Sequence, residues 1–186
     1  MKKLQSILVF VASLGMLSSA VYADPPMAPF YASVMKMSAD GKLGQVIKQE
    51  KIKTSVKGAQ AWKIAYISSD IEGRNTISTG LVVAPVGQAP AEGRPIIAWA
   101  HGTTGTAQNC GPSQVLDPVV PLNEYFLLGG NSWTDYGIPN VEEFISQGFV
   151  VAATDYQGLG GGGKHQYSLA NTNGKDLFNS ARGLAL

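Results

Sequence analysis

The stretch RPIIAWAHGTTGTAQNCGPSQ, residues 94–114, runs a short apolar segment, Ile96 to Ala100, straight into His101-Gly102 and three small residues, Thr103, Thr104 and Gly105. An apolar run without polar alternation is what a strand covered on both faces of a parallel sheet requires. A following turn without bulky side chains leaves its backbone N–H groups free to face a ligand atom. A second such run, FVVAAT, stands at 149–154, and PNVEEFISQG, 139–148, lies between the two. There Val141, Phe144 and Ile145 share one face at helical spacing. Asn140 and Glu143 hold the positions of a capping box, and Gly148 is a natural helix stop. Strand, helix and strand over this length make a βαβ unit.

Working outward, the upstream pattern changes. GQVIKQEKIKT, 44–54, alternates loosely and reads as a strand. AWKIAYISSD and NTISTGLVVAP, rich in Ile, Val, Thr and Tyr, flank Ile71-Glu72-Gly73-Arg74 and predict a hairpin. Pro85 to Pro95 is a connecting loop. Residues 24–43, with Pro25, Pro26, Pro29 and Asp40-Gly41, read as an arm wrapped on the domain that fills 44–186. The expected class is α/β, with antiparallel strands leading into a parallel βαβ sheet. At the other end NGKDLFNSARGLAL, 173–186, opens a helix with Leu177, Ala181, Leu184 and Ala185 as a buried stripe. With no glycine stop or closing basic residue expected there, the helix breaks off and the chain is expected to be cut in mid-element.

The first 23 residues carry Lys2 and Lys3, an apolar centre from Ile7 to Leu17, and the small-residue site Val21-Tyr22-Ala23. This is the pattern of an export signal cleaved before Asp24, and the apolar run is too short for a spanning helix. The protein is expected to be secreted or periplasmic. Removing Lys2 and Lys3 takes the basic residues from 14 to 12 against 13 acidic ones, a formal charge of −1. No basic patch interleaves with aromatics, so nucleic acid is not an expected partner. The composition, 45% hydrophobic and 15% charged with 22 Gly, is that of a loop-rich globular domain. The single cysteine, Cys110, leaves three readings open: a partner elsewhere, an intermolecular bridge, or a buried free thiol.

Other features imitate function. GLGGGGKH, 158–165, fits G-x-G-x-x-G and the start of a phosphate loop, but His165 stands where a Ser or Thr would hold magnesium, and no helix follows directly. A loop with glycines at positive φ explains it better. His101 and His165 are the only histidines, with no metal-ligand spacing around them, so neither a metal nor another cofactor is expected. His165 reads as a surface loop residue. Asp155, at the end of an apolar run, reads as tying its own loop DYQGLG together rather than as a catalytic acid.

Four pieces, IIAWAHGTTG (96–105), NCGPS (109–113), VEEFISQGFVVAATDYQGLG (141–160) and SARGLAL (180–186), together resemble the secretory lipase family of α/β-hydrolases in order and spacing. The resemblance implies hydrolysis of carboxylic esters, with a small-molecule ester or lipid as substrate and no cofactor. It implies an oxyanion-hole N–H from Thr103 or Thr104, with Gly102 and Gly105 permitting the turn and His101 bracing it through its ring nitrogens. It also implies that nucleophile, acid and base are not in this chain. Gly-x-Ser-x-Gly occurs nowhere, Ser113 and Ser132 lack its glycines, and the order Ser, acid, His begins beyond the last helix. On this reading the chain is the N-terminal part of the fold, truncated before the nucleophile elbow. The alternative is a non-catalytic secreted α/β module that binds a ligand carboxylate in the same turn.

Overall fold

The computed structural model describes residues 27–120, 122–125 and 133–184. The expected export signal lies outside the described residues, as do Ser132 and Ala185. The elements, in order, are α1 (Pro29–Val34), β1 (Val46–Ile52), β2 (Ala59–Ser69), β3 (Asn75–Pro85), β4 (Ile96–Ala100), β5 (Leu122–Tyr125), β6 (Trp133–Tyr136), α2 (Val141–Ser146), β7 (Val150–Thr154) and α3 (Ala170–Arg182). A 3₁₀ turn, Pro112–Gln114, follows β4. Among these, no helix is long and apolar enough to cross a membrane.

Five strands form one sheet in the order β1-β2-β3-β7-β4. β2 and β3 pair antiparallel along their whole length, Ala59 against Pro85 through Ser69 against Asn75. The turn between them is held by Asp70, whose carboxylate accepts the backbone N–H of Glu72 and Arg74 and pairs with the Arg74 side chain. β4 and β7 pair parallel, Ile96 against Val150 to Ala100 against Thr154, as the βαβ reading requires. β5 and β6 make a separate antiparallel pair that the sequence pattern does not announce.

β7 is inserted between β3 and β4, and the outer strands are β1 and β4. β7 has Leu81, Val82 and Val83 of β3 on one side and Ile97 to Trp99 of β4 on the other. Continuous hydrophobicity suits this interior place, since both faces and both edges are covered.

The two sheet faces differ in chemistry. On one face, Ala61, Leu81, Val83, Val151 and Ala153 pack with Val141 and Ile145 of α2. Phe30, Tyr31 and Val34 of α1 pack beside them on Ala65, Ile67 and Ile77. The arm is thus part of the core. Each fully buried Val, Leu or Ile here contributes roughly 1.5–3 kcal/mol. α2 begins without the expected capping box: Asn140 has φ 55°, in the left-handed region, and makes no side-chain cap. Asn tolerates that backbone better than most residues, so its identity serves the turn and not the cap. Glu143 accepts from Gln147 instead.

The opposite face carries α3, and the helix turns its polar side inward. Thr172, Asp176, Asn179 and Ser180 are buried, whereas Leu177, Ala181 and Leu184 are only half-buried and Phe178 is exposed. Of the expected stripe Leu184 does pack on the sheet, against Ile64, Tyr66 and Val82, but the most buried side of the helix is the polar one. The cause lies in the strands beneath, which present hydroxyls. Ser78 donates to the Asp176 carboxylate at 2.8 Å, the backbone N–H of Gln157 donates to its other oxygen, and Tyr66 donates to the Asp176 carbonyl. A polar helix face satisfies these groups where an apolar one would orphan them. The helix ends at Arg182 with Gly183 as its cap, so the expected uncapped run to the last residue is also corrected.

Burial pushes the Asp176 carboxyl above its ordinary range, against the bonds from its neighbours. A raised folded-state value favours the protonated form, so this stabilisation is present at low pH and is lost as pH rises through that value. Asp176→Asn, with its amide donating to the Ser78 hydroxyl, removes the titration. Thermal unfolding from about pH 7 down towards about pH 4 should show the wild type gaining on Asp176→Asn. A widening deficit on acidification would contradict this.

Candidate active site

At the C-terminal end of β4 the chain leaves the sheet at His101, which is buried, and enters the turn 102–105. Gly102 and Thr103 are exposed, Thr104 and Gly105 half-buried. Among the described residues, the backbone N–H groups of Gly102, Thr103, Thr104 and Gly105 make no hydrogen bond. These residues line a cavity of about 160 Å³ together with Tyr156, Leu159, His165 and Tyr167. Gly105 has φ +128°, a backbone that favours glycine, and a Cβ there would also press on the Cys110 side chain. Cys110 is half-buried and unbridged.

The turn is held from behind by Asp155, wholly buried one residue past β7. Its carboxylate accepts the backbone N–H of Ser113 at 2.9 Å, the Ser113 hydroxyl, and the Thr79 hydroxyl at 2.7 Å. The Tyr31 hydroxyl from α1 donates to the Ser113 carbonyl at 2.9 Å and lies 2.7 Å from its Oγ. The main-chain carbonyl of Asp155 faces His101 Nε2 at 3.2 Å, and Tyr156 donates its hydroxyl to the His101 carbonyl. The Asp155 carboxylate thus binds β3 and the 112–114 turn and not, as expected, its own loop.

Serine, aspartate and histidine therefore meet, wired unlike a catalytic triad. In a triad the serine hydroxyl bonds to the imidazole, and the carboxylate to the far ring nitrogen. Here Ser113 is wholly buried and bonded directly to the carboxylate, while both ring nitrogens of His101 face main-chain carbonyls, those of Asp155 and Gly102. A buried serine with its oxygen engaged twice has no path to a substrate carbonyl.

Another part of the lining is one that sequence reading missed. His165 is half-buried and not a free surface residue. Its Nδ1 lies 2.8 Å from the Gln157 carbonyl, and its ring stacks on Tyr156 at 6.3 Å between centroids. Tyr156 in turn lies 4.5 Å from the His101 ring, and the Tyr167 hydroxyl meets the Thr103 hydroxyl at 3.1 Å. No spacing signal marks these residues, because the loop that brings them in is irregular.

Five strands in a mixed sheet, helices on both faces, and a site at the C-terminal end of a parallel strand define an α/β-hydrolase-like fold, of which the chain carries part. The fold is similar to that of Candida antarctica lipase A in its closed state, with a TM-score of 0.54 and 18% identity over 87% of this chain and 36% of that one. It is also similar to the rice cell wall degrading esterase LipA from Xanthomonas oryzae, with a TM-score of 0.55 and 17% identity over 78% of this chain and 38% of that one. The chain spans little more than a third of the length of either protein. Neither a protein-family model nor a curated protein matches it.

Burial holds the His101 imidazole below its usual range, outweighing the carbonyls and the carboxylate nearby. A lowered folded-state value means that the unfolded chain takes up the proton more readily. The stability due to neutral His101 is present above the unfolded value of about 6.5 and is lost as pH falls through the folded one. His101→Gln, which does not titrate, should lose less stability than the wild type between about pH 7 and about pH 5, measured by denaturant midpoint at each pH. Parallel pH profiles would contradict it.

Proposed function

We propose that the chain is part of an exported carboxylic-ester hydrolase of the lipase and esterase type. It contributes the oxyanion-binding turn, while nucleophile, acid and base lie outside it. The observation that carries this reading is a turn at the end of β4, 102–105, that lines a cavity and whose N–H groups have no partner among the described residues. Attack on an ester carbonyl places negative charge on its oxygen. Donors already fixed in position stabilise that charge more in the transition state than in the ground state, and losing one typically costs about 10²–10³ in rate. Thr103 or Thr104 supplies one donor from this turn, and the residue after the nucleophile supplies the second. The brace from Asp155 through His101 keeps the turn in place without reorganisation at the moment of reaction. The export signal read in residues 1–23 supports a secreted or periplasmic enzyme acting on a small-molecule ester or lipid.

The test compares residues 24–186 with the reading frame continued past codon 186. The continued frame is expected to encode a further strand and a Gly-x-Ser-x-Gly elbow. A fluorophosphonate probe should label that elbow serine and leave residues 24–186 unlabelled, with turnover of a short-chain chromogenic ester following the same division. Labelling of Ser113 in the short chain, with matching turnover, would overturn the reading. A stop codon with no elbow, combined with tight carboxylate binding, would favour a non-catalytic binding module.

A further inference from the structure

The glycine run 158–163 is not a mobile linker, and what it builds faces the candidate site. Gly158 has φ +82°, and a Cβ there would lie 2.2 Å from the backbone nitrogen of His165. The loop therefore crosses itself at this point, which only glycine permits. Gln108, just beyond the oxyanion turn, clamps the loop with both ends of its amide, donating to the Gly163 carbonyl at 2.6 Å and accepting from the Gly162 N–H at 3.1 Å. Gln114 donates to the Leu159 carbonyl at 2.7 Å. The crossing places His165 in the lining of the same cavity as the turn 102–105.

The ring's tautomer follows from its partner. The Gln157 carbonyl can only accept, so Nδ1–H of His165 donates to it. In the neutral ring Nε2 is then a lone-pair acceptor, and among the described residues nothing donates to it. The cavity lining thus combines the turn 102–105, whose N–H groups are donors, with an acceptor on His165, flanked by the rings of Tyr156 and Tyr167. An ester group matches the donors alone. A ligand that satisfies both carries a hydroxyl a few bonds from its ester carbonyl.

We infer that His165 is a specificity-determining residue, accepting a hydrogen bond from a hydroxyl of the substrate, so that the site favours partial esters of a diol or polyol over simple alkyl esters. This rests on the ester-binding reading of the turn 102–105. The glycine loop and its Gln108 clamp then have a function: they hold that acceptor in register with the oxyanion turn.

The test uses the exported chain with ¹⁵N-labelled histidine and backbone amides, titrated with 2-hydroxyethyl butanoate and with propyl butanoate, which differ by hydroxyl against methyl. The hydroxy ester is expected to bind about tenfold tighter and to shift the His165 Nε2 resonance, while the propyl ester leaves that resonance in place. His165→Phe, shown to be folded by an unchanged amide spectrum elsewhere, should bind the two esters equally. His165→Gln, which restores an acceptor, should recover part of the preference. Equal binding of the two esters by the wild type, or a preference unchanged in His165→Phe, overturns the inference. The two readings fail separately. A hydroxyl-dependent shift at His165 without any response at the Thr103 and Thr104 amides removes the ester reading and keeps hydroxyl recognition. Amide shifts at the turn with a silent His165 remove hydroxyl recognition alone.

Discussion

The Asp155 carboxylate, buried away from water, is the constraint on which the rest of the molecule depends. A carboxylate in such a place is costly unless donors surround it, and burial does push its protonation equilibrium upward. Three donors answer the cost, from Thr79 on β3 and from the N–H and hydroxyl of Ser113. Tyr31 on α1 completes the shell through Ser113. One side chain therefore ties the N-terminal arm, the central strand β3, the end of β7 and the 112–114 turn to each other. Removing any one partner would leave a buried polar group unmatched, at a cost of about 1–3 kcal/mol.

From that anchor the candidate site follows by position. β7 lies inside the sheet, so the residue that ends it cannot drift, and the Asp155 carbonyl offers His101 a fixed acceptor. His101 in turn fixes where β4 stops and where the turn 102–105 begins. The turn itself needs no side-chain chemistry, only small residues and open N–H groups, and the glycine at 105 gives it room beside Cys110. Rigidity behind and freedom in front are what a preformed anion site requires, because a donor that must first reorganise loses much of its worth.

The elements whose logic is local were legible in the sequence, and those whose logic is tertiary were not. The β2–β3 hairpin follows from alternation and a turn, and the β4–α2–β7 unit from two apolar runs around one amphipathic helix. That β7 pairs with β3 as well as β4 depends on strand order, which no window of sequence contains. α3 misleads for a related reason: hydropathy finds its apolar stripe, yet the sheet beneath offers Ser78, Tyr66 and Thr154, and hydrogen bonding decides which side turns inward. Asn140 stands where a cap belongs but adopts a backbone that cannot cap. His101 and the turn could be read because a strand end, a histidine and small residues are contiguous. His165 could not, since a self-crossing loop brings it to the site from more than sixty positions away.

On the proposed function, the backbone N–H group of Thr103 or Thr104 belongs to a preformed anion site. Its most direct test is a titration of the ¹⁵N-labelled chain with butanoate, a carboxylate that mimics the charge on a reacting ester oxygen. Saturable downfield shifts are expected at the Thr103 or Thr104 amide, larger than at any amide outside the cavity and weakened in Asp155→Asn. Amide resonances at 102–105 that stay in place while the ion saturates elsewhere, or move nowhere, would contradict it.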